Sequence, residues 1–152
     1  MASLIAAERP DSPDAQALIA ELEAHLGPLY PAESRHDYSV EKLLREGVAF
    51  FVLRQDGYAA GCGGVQLFGS EYGEVKRMYV RPQWRGLGLA KAMLDHLEAF
   101  TRAHGLHLLR LETGIYQTEA IGLYERMGFR QIPPFGEYLA DPLSRFYEKQ
   151  IP

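Results

Sequence analysis

Residues 83–88 read Gln-Trp-Arg-Gly-Leu-Gly. They lie between an apolar run of strand character at 75–80 (Val-Lys-Arg-Met-Tyr-Val) and a long helical pattern that begins near residue 87. A chain that turns this sharply from strand into helix aims the first N–H groups of the helix at one point. Those groups lack partners inside the helix, and the helix dipole makes the point electropositive. Such a point suits a phosphate or pyrophosphate. Gly86 and Gly88 carry no side chain, so an anion can approach the backbone closely, and Arg85 adds a fixed positive charge.

The rest of the chain must supply a scaffold for that turn. Its 152 residues are enough for one domain with a real core, and 47% of them are hydrophobic. A net charge of -4 offers no basic footprint for nucleic acid, so neither DNA nor RNA is expected as a partner. With one cysteine, Cys62, no intrachain disulfide can form, which fits a reducing compartment. No targeting segment or membrane-length apolar run stands out, so the expectation is a cytoplasmic protein with no membrane partner.

The periodicities predict a strand at 3–7, helices at 14–26 and 40–45, strands at 49–53 and 58–68, a turn at 69–73 and a strand at 74–80. A helix follows at 87–104, with Leu87, Ala90, Leu94, Leu97 and Phe100 or Thr101 expected on its buried face. Then come a strand at 106–113, a helix at 119–127 and strands at 129–132 and 144–151. Strands outnumber helices and are mostly hairpin-linked. The fold class is therefore α/β in the α+β sense, a mixed and mostly antiparallel sheet with helices on its faces.

Two motifs now identify a family resemblance. The run Val80-Arg-Pro-Gln83-x-x-Gly86-x-Gly88-x-Ala90 resembles the acyl-CoA-binding motif of the GCN5-related N-acetyltransferases (GNAT). Ala120-Ile-Gly-Leu-Tyr124-Glu-Arg-Met-Gly128-Phe129 resembles their second signature, and the element order agrees along the whole chain. The resemblance implies acyl transfer from acetyl-CoA to an amine by a single domain spanning the chain. It implies that Gln83, Trp84, Arg85, Gly86, Leu87, Gly88, Leu89 and Ala90 hold the pyrophosphate. It also implies that the strand carrying Met78, Tyr79 and Val80 splays from the strand near 108–113, so that the pantetheine arm fills the gap as a pseudo-strand. The family often has asparagine seven residues before the tyrosine; here Gln117 stands there, with a longer amide reach.

Attack of an amine on a thioester needs a neutral amine, a stabilised oxyanion and a proton for the leaving thiolate. Tyr124 is the candidate general acid, since a phenol stays protonated at neutral pH; otherwise its ring simply packs on the core. Glu74 is the candidate base, or else a solvated carboxylate at a strand edge, with Glu112 a weaker competitor. Tyr30, Glu33, Ser34 and His36 lie in the loop that the resemblance places beside the acceptor, where Glu33 and Asp37 would attract a cation. Arg35 or Arg77 would hold an acceptor carboxylate, and Tyr138 lies in a stiff loop, 133–142, that either caps the acceptor site or merely crosses between strands.

Lys76, Arg77 and Arg81 either reach coenzyme A phosphates or remain on the surface, and Trp84 is expected to be exposed enough to pack on the cofactor or on a neighbouring subunit. Cys62 reads as a small core residue, and no cluster has metal-ligand spacing, so no metal is expected. The leading reading is an N-acetyltransferase acting on a small-molecule or amino-acid-like primary amine. A protein amine as acceptor, or a non-catalytic acyl-CoA sensor, would use the same motifs. An ATP-binding protein is disfavoured because the turn lacks the Gly-Lys-Ser/Thr ending. A homodimer through the last strands is compatible with the sequence, with no residue arguing for it.

Overall fold

The computed structural model describes residues 2–35 and 38–152. The elements run β1 (Ser3–Ala7), α1 (Pro13–Leu26), α2 (Val40–Arg45), β2 (Ala49–Gln55), β3 (Tyr58–Phe68), β4 (Tyr72–Val80), α3 (Leu89–Ala103), β5 (Leu108–Gly114), α4 (Thr118–Arg126), β6 (Arg130–Ile132) and β7 (Ser144–Gln150). Among the described residues the strands form one seven-stranded sheet in the order β1-β2-β3-β4-β5-β7-β6. Every pairing is antiparallel except β4 with β5. The expected mixed sheet with helices on its faces is the observed one, and the order of elements is that read from the sequence.

Strand alternation builds the two faces. On β2, Phe51 and Leu53 join the core formed with α3 and α4, whereas Phe50 and Val52 join the core formed with α1 and α2. Local chemistry starts the helices of the second face. Ser12 Oγ accepts from the Ala15 N–H at 3.2 Å, Pro13 opens α1, and Ser39 Oγ accepts from the Lys42 N–H at 3.1 Å. Cys62 is buried in that face, and burial pushes its thiol up to about 12, so it stays a protonated thiol at neutral pH.

Two of the boundaries that differ from the sequence reading bear on the site. α3 begins at Leu89 rather than residue 87, because Gly86 and Gly88 both have positive φ and cannot belong to a right-handed helix. The buried face shifts accordingly to Leu89, Met93, Leu94, Leu97 and Thr101, while Leu87 is 50% exposed. β4 begins at Tyr72 rather than residue 74, since Tyr72 pairs with Phe68 and the turn closes within the residues between them.

What positions the site is an irregularity in β4. Between the pairs Cys62↔Tyr79 and Gly64↔Lys76, Arg77 and Met78 stand opposite the single Gly63. Arg77 takes φ 52, a bulge residue in the left-handed region. The surroundings hold it there: its guanidinium donates to Glu23 Oε1 at 2.7 Å, and its carbonyl accepts from Cys62 Sγ at 3.3 Å. β4 pairs with β5 only at Gly73↔Leu109 and Glu74↔Arg110, and beyond those pairs the two strands part.

The far lip of the parting is braced by Gly114 at the end of β5. Its Cα lies against the Tyr30 ring, and a Cβ there would overlap the Tyr30 hydroxyl, which itself accepts from the Tyr116 N–H at 3.0 Å. Gly114→Ala is therefore expected to destabilise the fold by about 1–3 kcal/mol through overpacking. Urea unfolding reads this as a lower midpoint at unchanged slope.

Candidate active site

A cleft of about 570 Å³ runs through the parting of β4 and β5. At one end lie Trp84, Arg85, Gly86, Gly88, Leu89 and Ala90. Gly88, at φ 77, is the N-cap of α3, and no side chain caps this helix. Its first N–H groups therefore point unscreened into the cleft mouth, an arrangement that suits an anion. A Cβ at Gly86 or Gly88 would meet nothing within 4 Å, so the positive φ angles, not space, require glycine there. Arg85 Nε donates to the Val80 carbonyl at 3.1 Å, which anchors the turn. Gln83 and Leu87 do not line the cleft, and Trp84 is half-buried with its ring stacked on Tyr58 at 6.2 Å.

Along the middle of the cleft the β4 edge that faces β5 has lost its ladder from Val75 onward, and Met78, Tyr79 and Val80 line the gap. Unpaired strand edges take up extended ligands through main-chain hydrogen bonds. Gln117, the N-cap of α4, lies across the gap with Tyr124. Tyr124 is buried, its ring in edge contact with Phe129 at 5.7 Å, and its hydroxyl accepts or donates no hydrogen bond among the described residues. Burial raises its phenol above the usual value, and the Glu112 charge acts in the same direction, so it is a proton donor throughout the neutral range.

At the other end Glu74 is only 3% exposed, not the solvated edge carboxylate that the sequence left open. Lys76 Nζ donates to Glu74 Oε2 at 2.9 Å, and the Tyr138 hydroxyl donates to the same oxygen at 2.5 Å. Lys76, expected at the surface or on a phosphate, is 6% exposed, with its ammonium 3.9 Å from the centre of the Tyr38 ring. Desolvation lowers the pKa of that ammonium against the opposing pull of Glu74. Glu112 accepts from Ser144 Oγ at 2.8 Å on the facing strand.

Several sequence candidates go elsewhere. Tyr30 braces Gly114 and does not reach the cleft. Glu33 and Ser34 lie on the short 3₁₀ turn Ala32–Ser34, away from it. Arg77 lines the cleft, but its guanidinium is tied to Glu23 of α1 and so is committed to the bulge rather than to an acceptor carboxylate. Arg81 is paired with Glu21, Nη2 to Oε2 at 2.7 Å, and not turned toward a phosphate. His36 and Asp37 lie outside the described residues. The sequence reading missed Tyr38, and it missed Leu22, His25 and Leu26, which α1 contributes to the cleft wall. The helix at 14–26 was read from the sequence, but nothing in its pattern distinguishes a cleft wall from a core face. Among the described residues no helix is long and apolar enough to cross a membrane.

Known proteins resemble this chain in sequence and fold. A model of the acetyltransferase (GNAT) family matches residues 15–129. The IAA acetyltransferase of Azospirillum brasilense is 44% identical over 148 residues, covering 97% of each chain. A solved structure from Klebsiella pneumoniae, assigned as an acyl-CoA N-acyltransferase, superposes with a TM-score of 0.84 at 37% identity, covering 98% of this chain and 97% of the other. The PaiA N-acetyltransferase of Thermoplasma acidophilum, solved in complex with coenzyme A, superposes at a TM-score of 0.76 over 99% of each chain. At 20% identity that last likeness is one of fold.

Proposed function

The chain belongs to the acetyltransferase (GNAT) family, and from that premise we propose that it transfers an acetyl group from acetyl-CoA directly to the primary amine of a small molecule. The observation that carries this reading is one cleft that joins an uncapped helix N-terminus, an open strand edge, a buried tyrosine and a buried glutamate. A pyrophosphate fits the turn at Gly86 and Gly88, and an extended arm fits the edge of Met78 and Val80. Acetyl-CoA would supply the activated acyl group there.

The protein's own part is positioning and proton handling. Glu74 takes the proton from the attacking amine, directly or through water, with Oε2 held by two donors. Tyr124 gives its hydroxyl proton to the leaving sulfur. The β4 edge near Val80 offers main-chain N–H groups where the oxyanion develops. Roofing by Tyr138 and walling by Tyr38 favour a compact acceptor over a protein surface.

The test is a panel of primary amines (aliphatic, aralkyl, free amino acids and polyamines) offered with acetyl-CoA while free thiol is followed. Acetylation of a panel amine well above the acetyl-CoA hydrolysis rate supports the reading. Tight acetyl-CoA binding with no turnover on any amine would make the protein a sensor instead. Gly88→Ala, which forces a Cβ into a left-handed backbone at a strain of about 1–2 kcal/mol, should raise the acetyl-CoA KM about tenfold at nearly unchanged kcat.

A further inference from the structure

We propose that Lys76 and Tyr138 are positioning residues that lock the Glu74 carboxylate with one oxygen occupied and the other presented to the acceptor amine. The inference rests on Glu74 being the proton acceptor of the reaction proposed above. Both donors converge on Oε2, at 2.9 Å from Lys76 Nζ and 2.5 Å from the Tyr138 hydroxyl. Oε1 accepts no hydrogen bond among the described residues, while Glu74 lines the cleft. A carboxylate held by one oxygen keeps a single rotamer and a single free acceptor, which is what a directional proton transfer needs.

The lock is built from three parts of the chain. Lys76 comes from β4 itself and is seated on the Tyr38 ring, which the segment before α2 supplies. Tyr138 comes from the connection between β6 and β7, where its ring lies 5.3 Å from Phe135 and 5.3 Å from Phe146. The hydroxyl is thus placed by a small aromatic core of its own rather than by a free loop. This gives the last connection a task beyond covering the cleft: it sets the direction of the base.

Other charges face the same carboxylate. Tyr72 shares its strand, and Glu112 and Arg110 face it from β5. Lys42 approaches from α2, and Glu137 precedes Tyr138 in the last connection. Arg110 is committed to Glu148 at 3.1 Å and Glu112 repels rather than steadies, so Lys76 is the cation that offsets Glu74.

The experiment compares pH profiles of kcat/KM for the wild type, Tyr138→Phe, Lys76→Met, Lys76→Arg and Glu74→Gln. The probe is acetyl-CoA with the most rapidly acetylated amine of the panel, or with water alone as acceptor. Tyr138→Phe removes only a hydroxyl and should lower kcat/KM about tenfold, since a hydrogen bond to a charged group is lost. It should also move the acid limb of the profile upward by about one pH unit. Lys76→Met should do more of both, and Lys76→Arg should restore most of the rate. The acetyl-CoA KM should stay unchanged throughout, which reports an intact donor groove.

A uniform fall in rate with no movement of the limb would overturn the proposal, as would Lys76→Arg behaving like Lys76→Met. If Glu74→Gln is inactive while Tyr138→Phe and Lys76→Met keep the wild-type profile, this inference fails and the base assignment stands. If Glu74→Gln keeps the wild-type rate, the base assignment itself fails.

Discussion

Tyr124→Phe should lower kcat by about 10²–10³-fold while leaving the acetyl-CoA dissociation constant and the melting temperature nearly unchanged. The chemical argument is that an alkyl thiolate departs faster when a donor protonates it as the carbon–sulfur bond breaks, which also makes the step harder to reverse. Tyr124 is placed for that: α4 carries it to the edge of the gap that opens beyond Glu74, and its phenol remains protonated because burial disfavours the phenolate. The stability argument is equally specific. The hydroxyl takes no partner among the described residues, so its removal leaves no buried group orphaned. The ring contacts with Phe129 and Tyr147 survive in phenylalanine. A fall in kcat without a fall in stability or donor affinity therefore reports the proton alone, and single-turnover kinetics with saturating donor is the measurement that reads it. A rate within about threefold of wild type would remove Tyr124 from the chemistry and leave it a packing residue.

Part of this cleft was legible in the sequence, and the boundary between what was and what was not has a physical cause. The turn at residues 83–88 depends on local chemistry, since glycines set φ and a helix start sets N–H direction, and it could be read from neighbouring letters. The order of elements and the mostly antiparallel, hairpin-linked character of the sheet were legible for the same reason, because hairpin turns and alternation act over short distances. The tyrosine of α4 was singled out by the resemblance of its helix to a family signature. The environment of Glu74 was not. Its partners are Lys76, two residues away, and Tyr138, brought back by the antiparallel return of β7 beside β5. A strand in isolation shows Glu-Val-Lys as alternating charges on one face and suggests solvent. Only the closing of Tyr38 and Tyr138 over that face makes it interior. Arg77 was misread for a related reason: the bulge that turns it toward Glu23 of α1 arises from the register of β3 against β4, which no local pattern encodes.

The same buried pair makes a second prediction, in which catalysis and stability pull apart. Glu74 and Lys76 are 3% and 6% exposed, so each charge depends on the other. Glu74→Gln should abolish most of the activity, about 10²-fold or more for a lost general base. It should also cost stability of about 3–5 kcal/mol, because an ammonium is left buried without its counter-charge. The double variant Glu74→Gln with Lys76→Met should remain inactive yet regain that loss and match or exceed the wild type, since a well-packed neutral pair avoids the desolvation of two ions. The side-chain amide carbonyl that replaces the carboxylate still accepts from the Tyr138 hydroxyl, so that donor keeps its acceptor.

The pH dependence carries a sign of its own. Burial already makes Lys76 release its proton more readily folded than unfolded, and the loss of Glu74 accentuates this. The unfolded chain then binds more protons, so the deficit of the single variant is full near neutrality and shrinks as pH rises toward the ordinary lysine value of 10.5. Denaturant midpoints of the wild type, both single variants and the double variant, taken at neutral and alkaline pH, complete the thermodynamic cycle. A double variant as unstable as Glu74→Gln alone, or a deficit that grows with pH, would show that this ion pair is not what holds the acceptor end of the cleft.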